Sequence, residues 1–379
     1  MSGIDVARVS TARERRAFLT FPWRVYRGDP LWVPPLLPER AKALDPERGA
    51  FFRRGVAELF VARRGRELLG TICAAEDREL NALRGMRECL FGFFECVDDA
   101  DVARALVDRA ASWGHDRGLE LLVGPYHLDY EDSYGVLVEG RDRPPVLLCG
   151  HTPPYYARLL EGLGFVPLRA DNLAFAVDLD LSSPAFCDLA RVADRVRSRG
   201  RFTIRTPDFA KWRAEVDPLL ELLNRSLAHL ADYRPWDRAV LEEMLAAFAK
   251  YADPELILFA ETKGTTVGWF PGVPNLNEAV IHANGLRYPW SYIPLALRLR
   301  RRPDCLAVKS VLVLPEYWGS GVAALLFDEM ARRAAARGYR WVDLSITSED
   351  NPRTPALALR MGASIYKRYR VYKRPISPG

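Results

Sequence analysis

At 379 residues, 49% apolar and 27% charged, the chain is long enough for two globular domains and has the balance of neither a disordered nor a fibrous protein. A net charge of +5 is mild for that length and argues against a nucleic-acid protein. No apolar run is long enough to span a bilayer, and the N-terminal MSGIDVARVSTARERR lacks a signal peptide's apolar core, so a cytoplasmic location is expected.

Residues 21–38, rich in proline and aromatics, predict an irregular packed arm, followed by a short helix and turn over 39–54 and a β-hairpin over 56–74. Asp98, Asp99 and Asp101 open a helix that ends at Arg117-Gly118. Two polar, aromatic loops follow, residues 124–135 and 151–156. Residues 181–205 hold a short helix between strand-like pieces and read as a junction. Helical patterns run from Pro218 to Ala231 and on to about Tyr251, and a second hairpin spans 256–270. Asn277 and Glu278 lead into an insertion, residues 279–305, that holds His282 and the cluster Arg298, Arg300, Arg301 and Arg302. The scattered cysteines show no C-x-x-C pair and no histidine at metal-ligand spacing, which predicts free buried thiols and no metal.

The chain repeats itself. Phe60-Val61-Ala62, Gly65 and Gly70 match Leu258-Phe259-Ala260, Lys263 beside Gly264, and Gly268 at a constant offset. Val102-Ala103, Leu106, Asp108 and Arg117-Gly118 match Val322-Ala323, Leu326, Asp328 and Arg337-Gly338 in the same way, and Gly164 matches Gly362. Two versions of one unit are predicted: residues 1–180, a junction over 181–205, and residues 206–379.

The second version carries a strand, a loop with Gly319 and Gly321, and a helix with Ala323, Leu326, Phe327, Met330, Ala331 and Ala334 on one stripe. Unpaired N–H groups at such a helix start, with no Cβ in the way, make an anion site. Trp318-Gly319-Ser320-Gly321-Val322-Ala323 resembles the Q/R-x-x-G-x-G/A signature of the GCN5-related N-acetyltransferases, with Trp318 in the place of Gln or Arg. Asn351, Leu357 and Gly362 fall on that superfamily's later motif, whose tyrosine is Ala358 here. In the first half the aspartates occupy the glycine positions and would repel a pyrophosphate.

The resemblance implies an α+β fold of two tandem domains, each a mixed, mostly antiparallel twisted sheet flanked by helices. Acetyl- or longer acyl-coenzyme A would be held by the second, with no metal. Trp318, Gly319, Ser320, Gly321, Val322 and Ala323 would hold the pyrophosphate, and main chain near Val311 and Val313 the pantetheine. Asn351 either bonds that arm or caps a helix. Glu349, half-buried with a raised pKa, is expected as the base; water, Tyr366 or Tyr369 would protonate the leaving thiolate. Asn277, Glu278, His282 and His127 are expected at the acceptor, with the two first-half loops as a wall of its cleft. The arginine cluster reads as a solvated face or as a site for the 3′-phosphate or an anionic acceptor, and the alternation Tyr366–Arg374 as a solvated face. The implied activity is N-acylation of an amine-bearing small molecule, lipid or peptide between the halves. A coenzyme A sensor is the alternative, and an aminoacyl-tRNA-dependent transferase is disfavoured by the charge.

Overall fold

The computed structural model describes residues 3–128, 135–228, 235–248, 252–309, 311–351 and 354–376. The first half runs β1 (Ile4–Arg8), α1 (Ala12–Thr20), α2 (Pro22–Val25), α3 (Leu37–Ala43), β2 (Gly55–Arg64), β3 (Glu67–Asp77), α4 (Arg78–Arg84), β4 (Glu88–Cys96), α5 (Ala100–His115), β5 (Leu121–Gly124), β6 (Val136–Glu139), α6 (Tyr156–Gly162), β7 (Val166–Pro167) and β8 (Asn172–Asp178). It passes through α7 (Pro184–Ser198) and β9 (Thr203–Arg205) into α8 (Trp212–Leu227), α9 (Arg238–Phe248), β10 (Ile257–Thr262), β11 (Thr265–Pro274), α10 (Asn277–Val280) and α11 (Tyr292–Leu299). The chain closes with β12 (Cys305–Val308), β13 (Leu312–Val313), α12 (Val322–Ala336), β14 (Trp341–Ser348), α13 (Thr354–Arg360), β15 (Ser364–Arg370) and β16 (Tyr372–Pro375).

The repeat is physical. Both hairpins turn through left-handed residues, Gly65 in one and Lys263 and Gly264 in the other. Both slip register just after the matched alanine, at Ala62/Arg63 and at Ala260/Glu261. Gly70 and Gly268 let the long helix approach the sheet: a Cβ on Gly70 would lie 2.6 Å from Leu106 Cδ1, and one on Gly268 3.0 Å from Leu326 Cδ1. α5 and α12 thus dock on their sheets through the same glycine–leucine contact.

The sheets order β1-β2-β3-β4-β5-β16-β7 and β6-β15-β8-β14-β12-β11-β10-β9, with β13 paired to β11. In each, one pair is parallel, β4–β5 and β12–β14, which is the mixed, mostly antiparallel α+β architecture the sequence implied. The halves, however, trade strands. β16, from the C-terminus, lies between β5 and β7 of the first sheet, and β8 lies between β14 and β15 of the second. Six of the seven residues of β8 are buried there. Removing either half would strip a central strand from the other, leaving unpaired backbone groups inside a sheet.

Several expectations are corrected. Tyr366, Lys367, Tyr369, Val371 and Tyr372 are buried, because β15 and β16 are interior strands and not a solvated face. α8 begins at Trp212 and carries Pro218 inside it. Cys187 is exposed, while the other five thiols are buried and free. The expected helix ends Ala231 and Tyr251 lie outside the described residues, as do residues 129–134 of the first polar loop.

Candidate active site

Gly321 is the N-cap of α12 in the left-handed conformation (φ 89°), and no side chain caps the helix. Gly319 is also left-handed (φ 77°), and none of the described residues comes within 4 Å of where its Cβ would be. First-turn N–H groups at the positive end of a 15-residue helix, with Val322 N–H only loosely bonded to the Ser320 hydroxyl at 3.4 Å, fit a phosphate. Trp318, in the position of the expected Gln or Arg, donates its indole N–H to Val313 O at 2.9 Å, and Ser320 Oγ donates to Tyr317 O at 2.6 Å. These two bonds hold the loop open. At the start of α5 the space is filled instead: Asp99 accepts from the N–H groups of Asp101 and Val102, at 2.9 and 3.3 Å, and pairs with Arg64, while Asp98 pairs with Arg158.

Next to the glycine loop the sheet divides. β12 and β14 pair from Cys305↔Trp341 to Ala307↔Asp343 and then part: β13 turns to β11, and β14 continues along β8. Leu314 N–H bonds Val267 O, so alternation turns the main-chain groups of Val311 and Val313 away from β11, into the V between the strands.

A buried polar cluster sits at the apex of that V. Lys309 Nζ lies 3.3 Å from Asp343 Oδ1, which also accepts Ser345 N–H at 3.0 Å, and Tyr366 donates its hydroxyl to Asp343 Oδ2 at 2.6 Å. Burial works against the Lys309 charge, but the Asp343 carboxylate outweighs it and the ammonium's pKa is raised. Burial first, then the same carboxylate, pushes the Tyr366 hydroxyl well above its usual value. Of the three, only Tyr366 was singled out from the sequence. The signal for the others was present: Lys309 is the lone cation in the apolar run CLAVKSVLVL, and Asp343 the lone acid in WVDLSIT.

The expected base is placed elsewhere. Glu349 follows β14 in an exposed turn, 2.8 Å from Arg368 on β15, which lies across β8 from β14, and the guanidinium holds the carboxylate at the surface. Asn351 caps α13, its Oδ1 accepting Thr354 N–H at 3.2 Å. Ala358 is buried.

Of the expected acceptor residues, His127 and Asn277 come together in the lining of a cavity of about 590 Å³. It opens in the first half's own V, where β4 leaves β5 beyond Leu90↔Val123. Phe93, Phe94 and Glu95 lie on one side, Pro125 and His127 on the other, and the arm's Trp32 to Leu36 closes it. The His127 ring stacks on Phe93 at 4.6 Å, and its Nδ1 is buried with no partner among the described residues. Burial, then Arg40, holds its pKa well below the usual value, so it is neutral. Glu95 accepts the Tyr156 hydroxyl at 2.7 Å, and burial raises it to about 7. Cys149 is common to both features: it lines the cavity and feels the Lys309 and Asp343 charges, while burial pushes its thiol up to about 11.

Glu278 and His282 are not in this cavity. Glu278 accepts the N–H groups of Asp304 and Cys305 at 2.8 and 3.0 Å and pins the start of β12, and His282 is exposed beside Arg298. The four arginines line a separate groove with Tyr339, beyond the C-terminal end of α12. A helix of that length is about 22 Å long, so they are far from Gly319 and Gly321, and the 3′-phosphate expectation is corrected.

Residues 219–363 match the acetyltransferase (GNAT) family. The chain is 30% identical to Protein YghO of Escherichia coli (strain K12), over 95% of this chain and 93% of that one. It is 29% identical to the bacterial ceramide synthase of Caulobacter vibrioides (strain NA1000 / CB15N), over 98% of each. Its structure is similar to a tandem GNAT protein from the clavulanic acid biosynthesis pathway, at a TM-score of 0.58 and 14% identity over 99% of both chains, a likeness of fold.

Proposed function

The chain belongs to the acetyltransferase (GNAT) family and is an acyltransferase, and we propose that it transfers a long acyl group from acyl-coenzyme A to the nitrogen of a hydrophobic primary amine. The similarity to a ceramide synthase along the whole chain supports an amino alcohol with a long alkyl tail as acceptor, which gives an amide of the ceramide type. The observation that carries the reading is the pairing of a helix start opened by a glycine N-cap with a strand V whose apex holds Lys309, Asp343 and Tyr366.

The amide groups of Gly319 to Ala323 would hold the pyrophosphate, and the main chain of Val311 and Val313 the pantetheine, with Trp318 already on the Val313 carbonyl. Acyl-coenzyme A supplies the activated carbonyl, and what the protein adds is mainly orientation. Tyr366 would take the proton from the acceptor's ammonium while passing its own to Asp343 Oδ2 along the 2.6 Å hydrogen bond. Lys309, charged in the resting site, would be the cation beside the leaving thiolate, which takes up through water the second proton that the nitrogen loses as the amide forms. Glu349 and Asn351 take supporting roles, in the turn and at the α13 cap. The apolar cavity would take the acceptor's tail, with His127 and Asn277 at its polar points. Its size falls within the ~300–1,000 Å³ of small-molecule sites.

Incubating the purified protein with acetyl- or palmitoyl-coenzyme A and a sphingoid-type amino alcohol, and following thiol release together with the amide product by mass spectrometry, tests this directly. Long-chain amide is expected. Thiol release with acetyl-coenzyme A and short hydrophilic amines alone would remove the lipid acceptor from the reading, while no release with any donor would remove the chemistry.

A further inference from the structure

The insertion before β12 ends in a segment whose polarity is the reverse of an ordinary surface. None of the eight residues of α11 is buried. Trp290 is 65% exposed, Ile293 63% and Leu297 57%. Ile293 and Leu297 stand one turn apart on the same helix face. Tyr288 stacks on Trp290 at 4.8 Å, so the rings and aliphatic chains make one patch. Arg298, in the last turn of α11, and Arg300, Arg301 and Arg302 just beyond it are all exposed. Among the described residues no carboxylate pairs with any of the four.

We propose that α11 and the arginines at and just beyond its C-terminal end form a docking surface for an anionic phospholipid bilayer. Tryptophan and tyrosine favour the headgroup level of a membrane, where one edge of the ring is wet and the rest apolar. The short aliphatic face enters the acyl boundary beneath them. Arginine forks pair with lipid phosphates, and four guanidinium groups with no carboxylate partner among the described residues concentrate that attraction beside the apolar patch. A second copy is a poorer occupant, since an isologous contact would bring the two arginine clusters toward each other. The surface also adjoins the cavity: α10, which carries Asn277 and Val280 of its lining, packs against α11. Docking here would present the cavity to the bilayer. The proposal rests on the exposed patch and its charge, and holds whatever the acceptor is.

Flotation of the full chain with vesicles of phosphatidylcholine, alone or mixed equally with phosphatidylglycerol, tests it. The wild type is expected to float with the anionic vesicles, less so as salt is raised, and to stay in solution with phosphatidylcholine alone. Each arginine near an anionic surface contributes about fivefold in affinity, so Arg298→Gln/Arg300→Gln/Arg301→Gln should weaken binding by about 100-fold. Trp290→Ser/Ile293→Ser/Leu297→Ser, which removes only exposed side chains, should abolish flotation. Turnover of a soluble amine without vesicles should be alike in all three proteins, which separates loss of docking from loss of the enzyme. Wild-type protein that never floats, or variants that float as it does, would overturn the proposal. So would a wild-type dimer that the triple-serine variant turns into a monomer, with neither floating, because the patch would then be a self-contact.

Discussion

Lys309 Nζ lies 3.3 Å from Asp343 Oδ1 at the point where β12 and β14 part, with the carboxylate fully buried. Neither charge is tolerable there alone. Asp343→Asn leaves a buried, uncompensated ammonium and should cost about 3–5 kcal/mol of stability. Replacing both, in Lys309→Met/Asp343→Asn, removes the unpaired charge and should recover most of that loss. Turnover should not return with it. Thermal unfolding beside kcat for the two variants checks this; a double variant with restored activity would make the pair a structural brace.

Tyr366 contributes its hydroxyl to the same carboxylate, and its ring packs edge-on against Trp341 at 5.9 Å. Tyr366→Phe keeps the ring and removes the proton path. kcat should fall about 100-fold with little change in KM, the size of effect a positioned acid–base group supplies. Glu349→Gln, in the exposed turn, should change kcat less than about threefold. The reverse ranking would return Glu349 to the role of base.

Ser320 stands at the mouth of the glycine loop, where Val322 N–H reaches its hydroxyl at 3.4 Å. Ser320→Asp would give α12 the kind of carboxylate that caps α5. Helix stability should rise by about 0.5–1 kcal/mol, because an acid suits a helix start. Affinity for coenzyme A should drop at least about tenfold, because the new charge faces the diphosphate. Calorimetric binding and a melting curve on the one variant give opposite signs if the loop is the cofactor cradle.

Much of this was legible in the sequence because it depends on local chemistry. The glycine loop, the aspartate-filled counterpart and the repeated hairpins are each written within a few residues, and the structure repeats them down to the register slips after Ala62 and Ala260. What could not be read was long-range pairing. β8 and β16 carry the same apolar patterning whichever sheet they join, so their exchange left no local mark, and with it the burial of Tyr366 and Tyr369 was hidden. Asp343 was missed for the same reason: a single acid in a strand looks like a solvent-facing residue until the strands on both sides are known. Glu349, nearer the expected motif, drew the role of base, although Arg368 holds it at the surface.

The matched glycines make a graded test of the repeat. In Gly70→Ala the new Cβ would lie 2.6 Å from Leu106 Cδ1 and 3.0 Å from Cys96 Cβ, whereas in Gly268→Ala the nearest atom is Leu326 Cδ1 at 3.0 Å. Overpacking of this kind costs about 1–3 kcal/mol, so Gly70→Ala should fall near the top of that range and Gly268→Ala near the bottom. Urea midpoints of the two variants decide it, and equal losses would mean that α5 shifts as freely as α12.

Glu95 sets a pH dependence that belongs to the cavity. Its carboxyl is buried against Tyr156, and burial raises its pKa to about 7, whereas in the unfolded chain it titrates near 4.5. Between those values the unfolded state gives up the proton and the folded state keeps it, so unfolding becomes easier as pH rises through that window. The full effect, reached above about pH 7, is about 3 kcal/mol, since every tenfold difference in proton affinity between the two states is worth about 1.4 kcal/mol. Below about pH 4.5 Glu95 is protonated in both states and the penalty vanishes. Glu95→Gln keeps an acceptor for the Tyr156 hydroxyl and cannot ionise. Its urea midpoint should therefore match the wild type's at pH 5 more closely than at pH 8, where the variant should be the more stable. If the two proteins differ equally at both values, Glu95 is not held protonated in the fold. The cavity then holds a fixed negative charge, and its polar end would suit the acceptor's ammonium and not its tail.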